Sequence, residues 1–88
     1  MTAATTEARL LALIAQHWAE QNPGKPMPGI ETATTWRDIE FDPIDLVCLH
    51  VMVEDEFEIS LPMDAEDCES VGELAALIGL VCGEAVHG

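Results

Sequence analysis

The stretch that decides the fold is EFDPIDLVCLHVMVEDEFEISLP, residues 40–62. Asp42 is a residue type that caps helices, and Pro43 suits the first helical position because its missing N–H would have no intrahelical partner there. Asp45 places a negative charge in the first turn, where the helix dipole favours it. We therefore predict a helix over residues 43–57. Four of its apolar residues are expected to face the core: Ile44, Val47, Val51 and Phe57.

An earlier helix is predicted over residues 6–21, TEARLLALIAQHWAEQ. Its apolar residues recur at helical spacing, which places Leu10, Leu13, Ile14 and Trp18 on one side. The Pro- and Gly-rich sequence NPGKPMPG then ends the helix. The connection that follows is long for a small domain, and such loops are usually ordered by anchors or used in function. We expect Trp36 and Ile39 to be the anchors.

The remaining sequence predicts two more helices. A short one is expected over 63–68, and SVGE at residues 70–73 is a capping box that begins a last helix over 71–82. No strand-like alternation or internal repeat occurs. The prediction is one domain, residues 1–88, that folds as an all-α four-helix bundle with a long first loop and a short third helix.

The charge is strongly asymmetric. The chain has 17 acidic residues against three basic ones, a net charge of −14, and no Lys or Arg follows Arg37. The electric field of so negative a chain would repel nucleic acid and anionic membrane surfaces. It would attract a basic patch on a partner protein and speed their encounter. We expect a monomer that meets such a partner.

Other classes of site are disfavoured by the residue pattern. Three cysteines without CxxC or Cys/His spacing predict neither a disulfide framework nor a zinc site. The acidic run from Asp64 lacks the glycine and ligand spacing of a calcium loop, so we expect no metal site. With no basic and apolar leader at the N-terminus and no apolar run of membrane-spanning length, we expect a cytoplasmic protein without a membrane span.

The ordered set of features resembles the acyl carrier protein family over about residues 7–79. That family begins its second helix with Asp-Ser-Leu-Asp/Glu, and the matching stretch here is Asp42-Pro43-Ile44-Asp45. LVCLHVMVEDEFEISLP resembles the run through its second helix into a proline turn, and SVGELAALI resembles the start of its fourth helix. The resemblance implies a group-carrying or accessory protein of fatty-acid, lipid or polyketide metabolism rather than an enzyme.

The resemblance also shows a departure at the attachment site. In the family a serine hydroxyl receives 4′-phosphopantetheine, whereas Pro43 has no hydroxyl. We therefore expect no cofactor and no catalytic residue. Two alternatives remain open: an arm attached elsewhere, at Ser60, Ser70 or a loop threonine, or an acyl group held directly by the thiol of Cys48. A third alternative is an acidic protein that binds cations weakly.

The second helix is the candidate partner-binding surface, by analogy with the acidic helix that the family presents to basic patches on acyl-transfer and lipid-synthesis enzymes. Surrounding carboxylates are expected to stabilise the imidazolium of His50, which would then titrate near neutrality. His17 and His87 belong to no recognisable set. The predicted partner-binding residues are Asp42, Asp45, Cys48, His50, Val51, Met52, Glu54 and Asp55.

Overall fold

The computed structural model describes residues 5–87, and for residues 83–87 it describes the backbone alone. The predicted domain of residues 1–88 thus includes a few terminal residues outside the described part. Within that part, the chain forms three α-helices and one short 3-10 helix, with a single isolated β-bridge between Thr35 and Ser70 and no strand. The all-helical class is confirmed. The expected short third α-helix is instead a 3-10 helix.

Helix α1, Thr6–Gln21, begins at Thr5, whose hydroxyl accepts a hydrogen bond from the Ala8 amide at 3.0 Å. It buries Leu10, Ile14 and Trp18, as the helical spacing predicts, and also His17. Leu13 is partly buried against the same core.

Helix α2, Pro43–Phe57, lies antiparallel to α1. Arg9 near the start of α1 pairs with Glu56 near the end of α2 at 3.1 Å, and His17 near the end of α1 meets Asp45 at the start of α2. The Arg9 guanidinium also lies 4.1 Å from the centre of the Phe57 ring. Side-chain contacts therefore join the two helices at both ends of α2.

Three of the four residues named as facing the core from α2 are exposed, whereas neighbours of these residues are buried. Ile44, Val47 and Val51 are 73%, 60% and 60% exposed, whereas Leu49 and Val53 are fully buried. Phe57 is partly buried against the core, together with Leu46. The reason is that apolar residues occur on all sides of α2 in residues 46–53, so two stripes share helical spacing and the sequence does not distinguish them.

The long connection, residues 22–42, is held against the bundle by buried aromatic and aliphatic side chains. Trp36 and Ile39 are buried as expected, and Phe41 stacks on Trp36 with ring centres 6.2 Å apart. The Trp36 indole N–H donates to the Cys68 carbonyl at 2.8 Å. These contacts hold the connection against the bundle.

The same connection is tied to the start of the last helix. Two backbone amides, those of Val71 and Gly72, donate to the carbonyls of Thr34 and Thr32 at 2.9 and 2.8 Å. A Cβ at residue 72 would lie 2.9 Å from the Thr32 carbonyl oxygen, so this close approach requires glycine.

The 3-10 helix spans Met63–Asp67, one residue shorter than the predicted helix, and buries Ala65. Helix α3, Val71–His87, extends five residues beyond the predicted end at residue 82. It packs on α1 through its fully buried Val71, Leu74 and Ile78. Among the described residues no helix combines the length and hydropathy needed to cross a bilayer.

Candidate functional site

The first turn of α2 is built by reciprocal hydrogen bonds between two aspartates. The Asp45 amide donates to Asp42 Oδ1 at 2.8 Å, and the Asp42 amide donates to Asp45 Oδ2 at 3.0 Å. Each carboxylate thus pairs with an amide that the helix leaves without a partner. Pro43 occupies the first helical position, as predicted, and is exposed. The start of α2 is therefore capped by both aspartates, and its first side chain offers no hydroxyl.

Asp45 also binds a buried histidine, which the sequence analysis did not assign to any site. The Nε2–H of His17 donates to Asp45 Oδ1 at 2.8 Å, with side chains 6% and 18% exposed. The His17 ring meets Phe41 edge-on at 5.3 Å. A signal for this position was present in the sequence: His17 follows Ile14 by three residues and Leu10 by seven, so it lies on the buried stripe of α1.

The pKa of Asp45 reflects these contacts. Burial raises the pKa of this carboxyl, but the hydrogen bonds from the Asp42 amide and from His17 outweigh burial and hold the pKa below its ordinary value. Asp45 is therefore an ionised internal acceptor at neutral pH. Its carboxylate holds α1 to α2.

Glu54, another residue of the predicted partner-binding set, is likewise used inside the fold. Its Oε2 accepts a hydrogen bond from the Leu61 amide at 2.8 Å. Leu61 lies just beyond Glu58, the residue that ends α2 in the left-handed conformation with φ 55°. The Glu54 side chain is half-buried, whereas Asp42 and Asp55 are exposed. The acidic residues of the set thus divide into internal acceptors and carboxylates that face solvent.

The expectation that His50 would be readily protonated is not met. Burial lowers the pKa of His50, and the nearby carboxylates of Glu66 and Glu54 oppose this effect without overcoming it. Desolvation of the charged ring is the dominant cause, because His50 lies half-buried between α2 and the 3-10 helix.

The exposed face of α2 is apolar. Ile44, Val47, Cys48 and Val51, which we call the apolar strip, lie at positions i, i+3, i+4 and i+7 of α2 and are all exposed. Met63 of the 3-10 helix is 83% exposed beside Val47 and Val51 across a shallow groove. Met52, also in the predicted set, is half-buried. The structure therefore places Cys48 and Val51 of the predicted partner-binding set beside Ile44 and Val47. The sequence analysis had expected Ile44, Val47 and also Val51 to face the core.

The serines of the chain lie away from the start of α2 along the sequence. Ser70 caps α3: its hydroxyl accepts the Glu73 amide at 3.3 Å and donates to Glu73 Oε2 at 3.2 Å. The bond from the Glu73 amide to the Ser70 hydroxyl is the one that the capping box predicts. The Glu73 carboxylate accepts a hydrogen bond from the Ser70 hydroxyl. Ser60 is exposed in the segment after α2. Within the described part of the chain, no three His, Cys, Asp or Glu side chains lie together as metal ligands.

A family model described as the phosphopantetheine attachment site matches residues 12–78. The chain belongs to this family. Members normally carry 4′-phosphopantetheine, and the carrier domains do not themselves catalyse reactions. The solution structure of the acetyl actinorhodin acyl carrier protein from Streptomyces coelicolor is similar, with a TM-score of 0.69 and 23% identity over 94% of each chain. Comparison with curated proteins gives no match. The resemblance to acyl carrier proteins is thereby confirmed, and the likeness to the solved structure shows the shared fold.

Proposed function

We propose that this chain is an acyl-carrier-like module that bears no phosphopantetheine arm at α2 and serves as an acidic docking subunit for enzymes of fatty-acid, lipid or polyketide metabolism. The observation that carries the proposal is Pro43 at the first position of α2. Attachment of the arm forms a phosphodiester with a side-chain hydroxyl, and proline has none. The residues at the start of α2 therefore do not fit the group that the family normally carries.

The local backbone supports this reading of the helix start. Proline has the fixed φ that a first helical position needs, and the Asp42–Asp45 capping box holds the turn from both sides. Proline is thus well accommodated where it stands. The helix start keeps its structural role while its attachment chemistry is lost.

Four other hydroxyls, those of Ser60, Ser70, Thr34 and Thr35, are poor substitutes for an attachment serine at this position. Ser70 Oγ is engaged at the start of α3, and the hydroxyls of Thr34 and Thr35 accept backbone amides of the long connection at 2.8 and 3.2 Å. Ser60 is exposed, but it follows α2 instead of beginning a helix. None of these residues combines exposure with a helix start like that of Pro43.

The docking role rests on charge. With a net charge of −14, the chain would attract a partner whose contact surface is basic. Asp45 and Glu54 are used internally, and one oxygen of Asp42 caps α2 although its side chain is exposed. The partner would therefore meet mainly Asp55 together with the acidic residues of the 3-10 helix, Asp64, Glu66 and Asp67.

A mass measurement tests the absence of the arm. The wild-type chain and the Pro43→Ser variant are incubated with coenzyme A and a phosphopantetheinyl transferase, and their intact masses are compared. We expect no gain for the wild type and the addition of one phosphopantetheine for Pro43→Ser, because the variant restores a hydroxyl at the capped helix start. A gain by the wild type refutes the proposal. Failure of Pro43→Ser to gain mass would show that residue 43 is not what decides attachment.

A further inference from the structure

A pocket of about 310 Å³ lies where the end of α1, the long connection and the start of α2 meet, and it shares no residue with the groove beside the 3-10 helix. Three buried side chains, Trp18, Ile39 and Phe41, form its apolar floor. Lys25 and Glu40 are exposed and lie at its rim. A small volume with an apolar floor and a few polar groups is typical of a site for a small molecule.

Lys25 is held at this pocket by a tight turn that follows α1. The sequence NPGK, residues 22–25, has proline second and glycine third, the order that a type II turn favours. Gly24 has φ 81°, and the Lys25 amide donates to the Asn22 carbonyl at 3.2 Å, as such a turn requires. Lys25 is the only lysine of the chain, and its ammonium group makes no ion pair with any described residue. The turn therefore presents an available cation to the pocket.

Glu40 has a backbone conformation that glycine adopts more easily, with φ 57°. The Glu40 amide donates to the Arg37 carbonyl at 3.0 Å. The next amide, that of Phe41, donates to the Trp36 carbonyl at 2.9 Å. A turn closed in this way ordinarily has glycine at its left-handed position, so a glutamate there costs conformational free energy. Strained residues of this kind occur preferentially at functional sites, and the Glu40 carboxylate pairs with no cation in the described part of the chain.

The charges around the pocket restrict what can occupy it. Asp45 also lines the pocket, but both of its oxygens already accept hydrogen bonds, from the His17 ring and the Asp42 amide. One cation and one available carboxylate therefore face the same space. A simple anion would be repelled by the net charge of −14, and a simple cation would be repelled by Lys25. A zwitterion has no net charge and can pair with both groups.

We propose that this pocket binds a free α-amino acid with an apolar side chain. Its carboxylate pairs with Lys25, its ammonium group pairs with Glu40, and its side chain lies against Trp18 and Phe41. The inference goes beyond the docking function and does not depend on it. Burial of the side chain supplies most of the affinity, and the two exposed charge pairs select the zwitterion. A ligand with so few atoms should bind with a Kd on the order of 1 mM.

Titration of the isotope-labelled full chain with L-leucine, followed by heteronuclear NMR, tests the inference. We expect saturable shifts of the backbone amides of Lys25 and Glu40 and none at Leu80 of α3, which does not line the pocket. N-acetyl-L-leucine lacks the ammonium group and L-leucinamide lacks the carboxylate, so each should bind roughly tenfold or more weakly than L-leucine. Absence of saturable shifts with L-leucine, or equal affinity for the three compounds, overturns the inference.

Matched variants locate the ligand. Lys25→Gln and Glu40→Gln each remove one charge from the pocket. The controls Arg37→Gln and Glu31→Gln remove the same charges from exposed positions of the long connection that do not line the pocket. We expect the first two variants to weaken binding of L-leucine roughly tenfold and the controls to leave it within about twofold. Equal losses in the two pairs would show a nonspecific charge effect and overturn the inference.

Glu40→Gly separates the role of the side chain from the fold. Glycine adopts a positive φ without strain, so this variant should melt no lower than the wild type. It should nevertheless bind L-leucine roughly tenfold more weakly, because the carboxylate is gone. Unchanged affinity in Glu40→Gly overturns the inference. The mass experiment on wild-type protein is independent of this one: a phosphopantetheine gain would remove the proposed function, whereas failure to bind L-leucine would remove only the pocket.

Discussion

Replacement of Asp45 by alanine should destabilise the protein far more than replacement of an exposed aspartate on the same helix. Asp45 accepts the Asp42 amide at 3.0 Å and the His17 ring N–H at 2.8 Å. The first bond closes a capping box and can be replaced by water, so its loss costs roughly 0.5–1 kcal/mol. The second is nearly buried and joins a charged acceptor, so its loss costs roughly 1.5–3 kcal/mol. We expect Asp45→Ala to lose about 2–4 kcal/mol in total.

Urea unfolding followed by tryptophan fluorescence measures this loss, because Trp18 and Trp36 are both buried in the native state. Asp55→Ala is the matched control: it removes the same charge from α2 at an exposed position and should change stability by no more than about 0.5 kcal/mol. The loss of stability in Asp45→Asn should fall between those of the two alanine variants, since the amide oxygen of Asn can still accept a hydrogen bond from the Asp42 N–H. Equal midpoints for Asp45→Ala and Asp55→Ala would refute the structural role assigned to Asp45.

Two further predictions concern protonation and backbone fit. The pKa of Asp45 is lower in the folded chain than in the unfolded one, so the unfolded state binds more protons. The contribution of Asp45 to folding stability is therefore complete above about pH 4 and is lost as the pH falls through the folded pKa. The stability difference between wild type and Asp45→Ala should therefore shrink on acidification below pH 4 in urea titrations, and a constant difference would contradict the assigned pKa direction. Gly72→Ala should cost roughly 1–3 kcal/mol because its Cβ would meet the Thr32 carbonyl, whereas Gly79→Ala, with open space around it, should stabilise α3 by roughly 0.5–1 kcal/mol. If the melting temperatures of both variants shift in the same direction from that of the wild type, the close approach at residue 72 is contradicted.

The internal use of Asp45 and Glu54 changes how the surface of α2 should be tested. Reversing either charge would remove a hydrogen bond to the fold as well as a surface charge, so a loss of partner binding would have two explanations. Asp55 and Glu66 are exposed, which makes them suitable positions for charge reversal. The strip residues Val47 and Val51 test the apolar contribution separately.

Local signals in the sequence predicted the helix starts accurately. Asp42 and Ser70 both cap the helices that follow them, and their acceptor atoms lie within three residues of the amides they bind. Such contacts depend on the order of neighbouring residues alone, so they can be inferred without knowing the fold. The end of α3 was less predictable, because Gly83 is a residue type that often ends a helix, yet the helix continues through it to His87.

The choice of buried face on α2 required the tertiary structure. Apolar residues surround this helix, and the stripe that contains Leu49 and Val53 is the buried one. The helix packs on α1, to which His17–Asp45 and Arg9–Glu56 also join it. The same packing decided that Asp45 faces inward and that Val51 faces solvent. The spacing of apolar residues in the sequence does not show which stripe of α2 faces the core, because both stripes satisfy the period of the helix.

The sequence by itself determined the class of fold, the starts of α2 and α3, the excess negative charge and the absence of a hydroxyl at residue 43. These properties belong to single residues or to neighbours along the chain. Only the tertiary structure decided which carboxylates are free, where His17 lies and which side chains form the groove beside α2. Those properties arise between residues far apart in the chain, 28 positions for His17 and Asp45 and 47 for Arg9 and Glu56, and only packing brings such residues together.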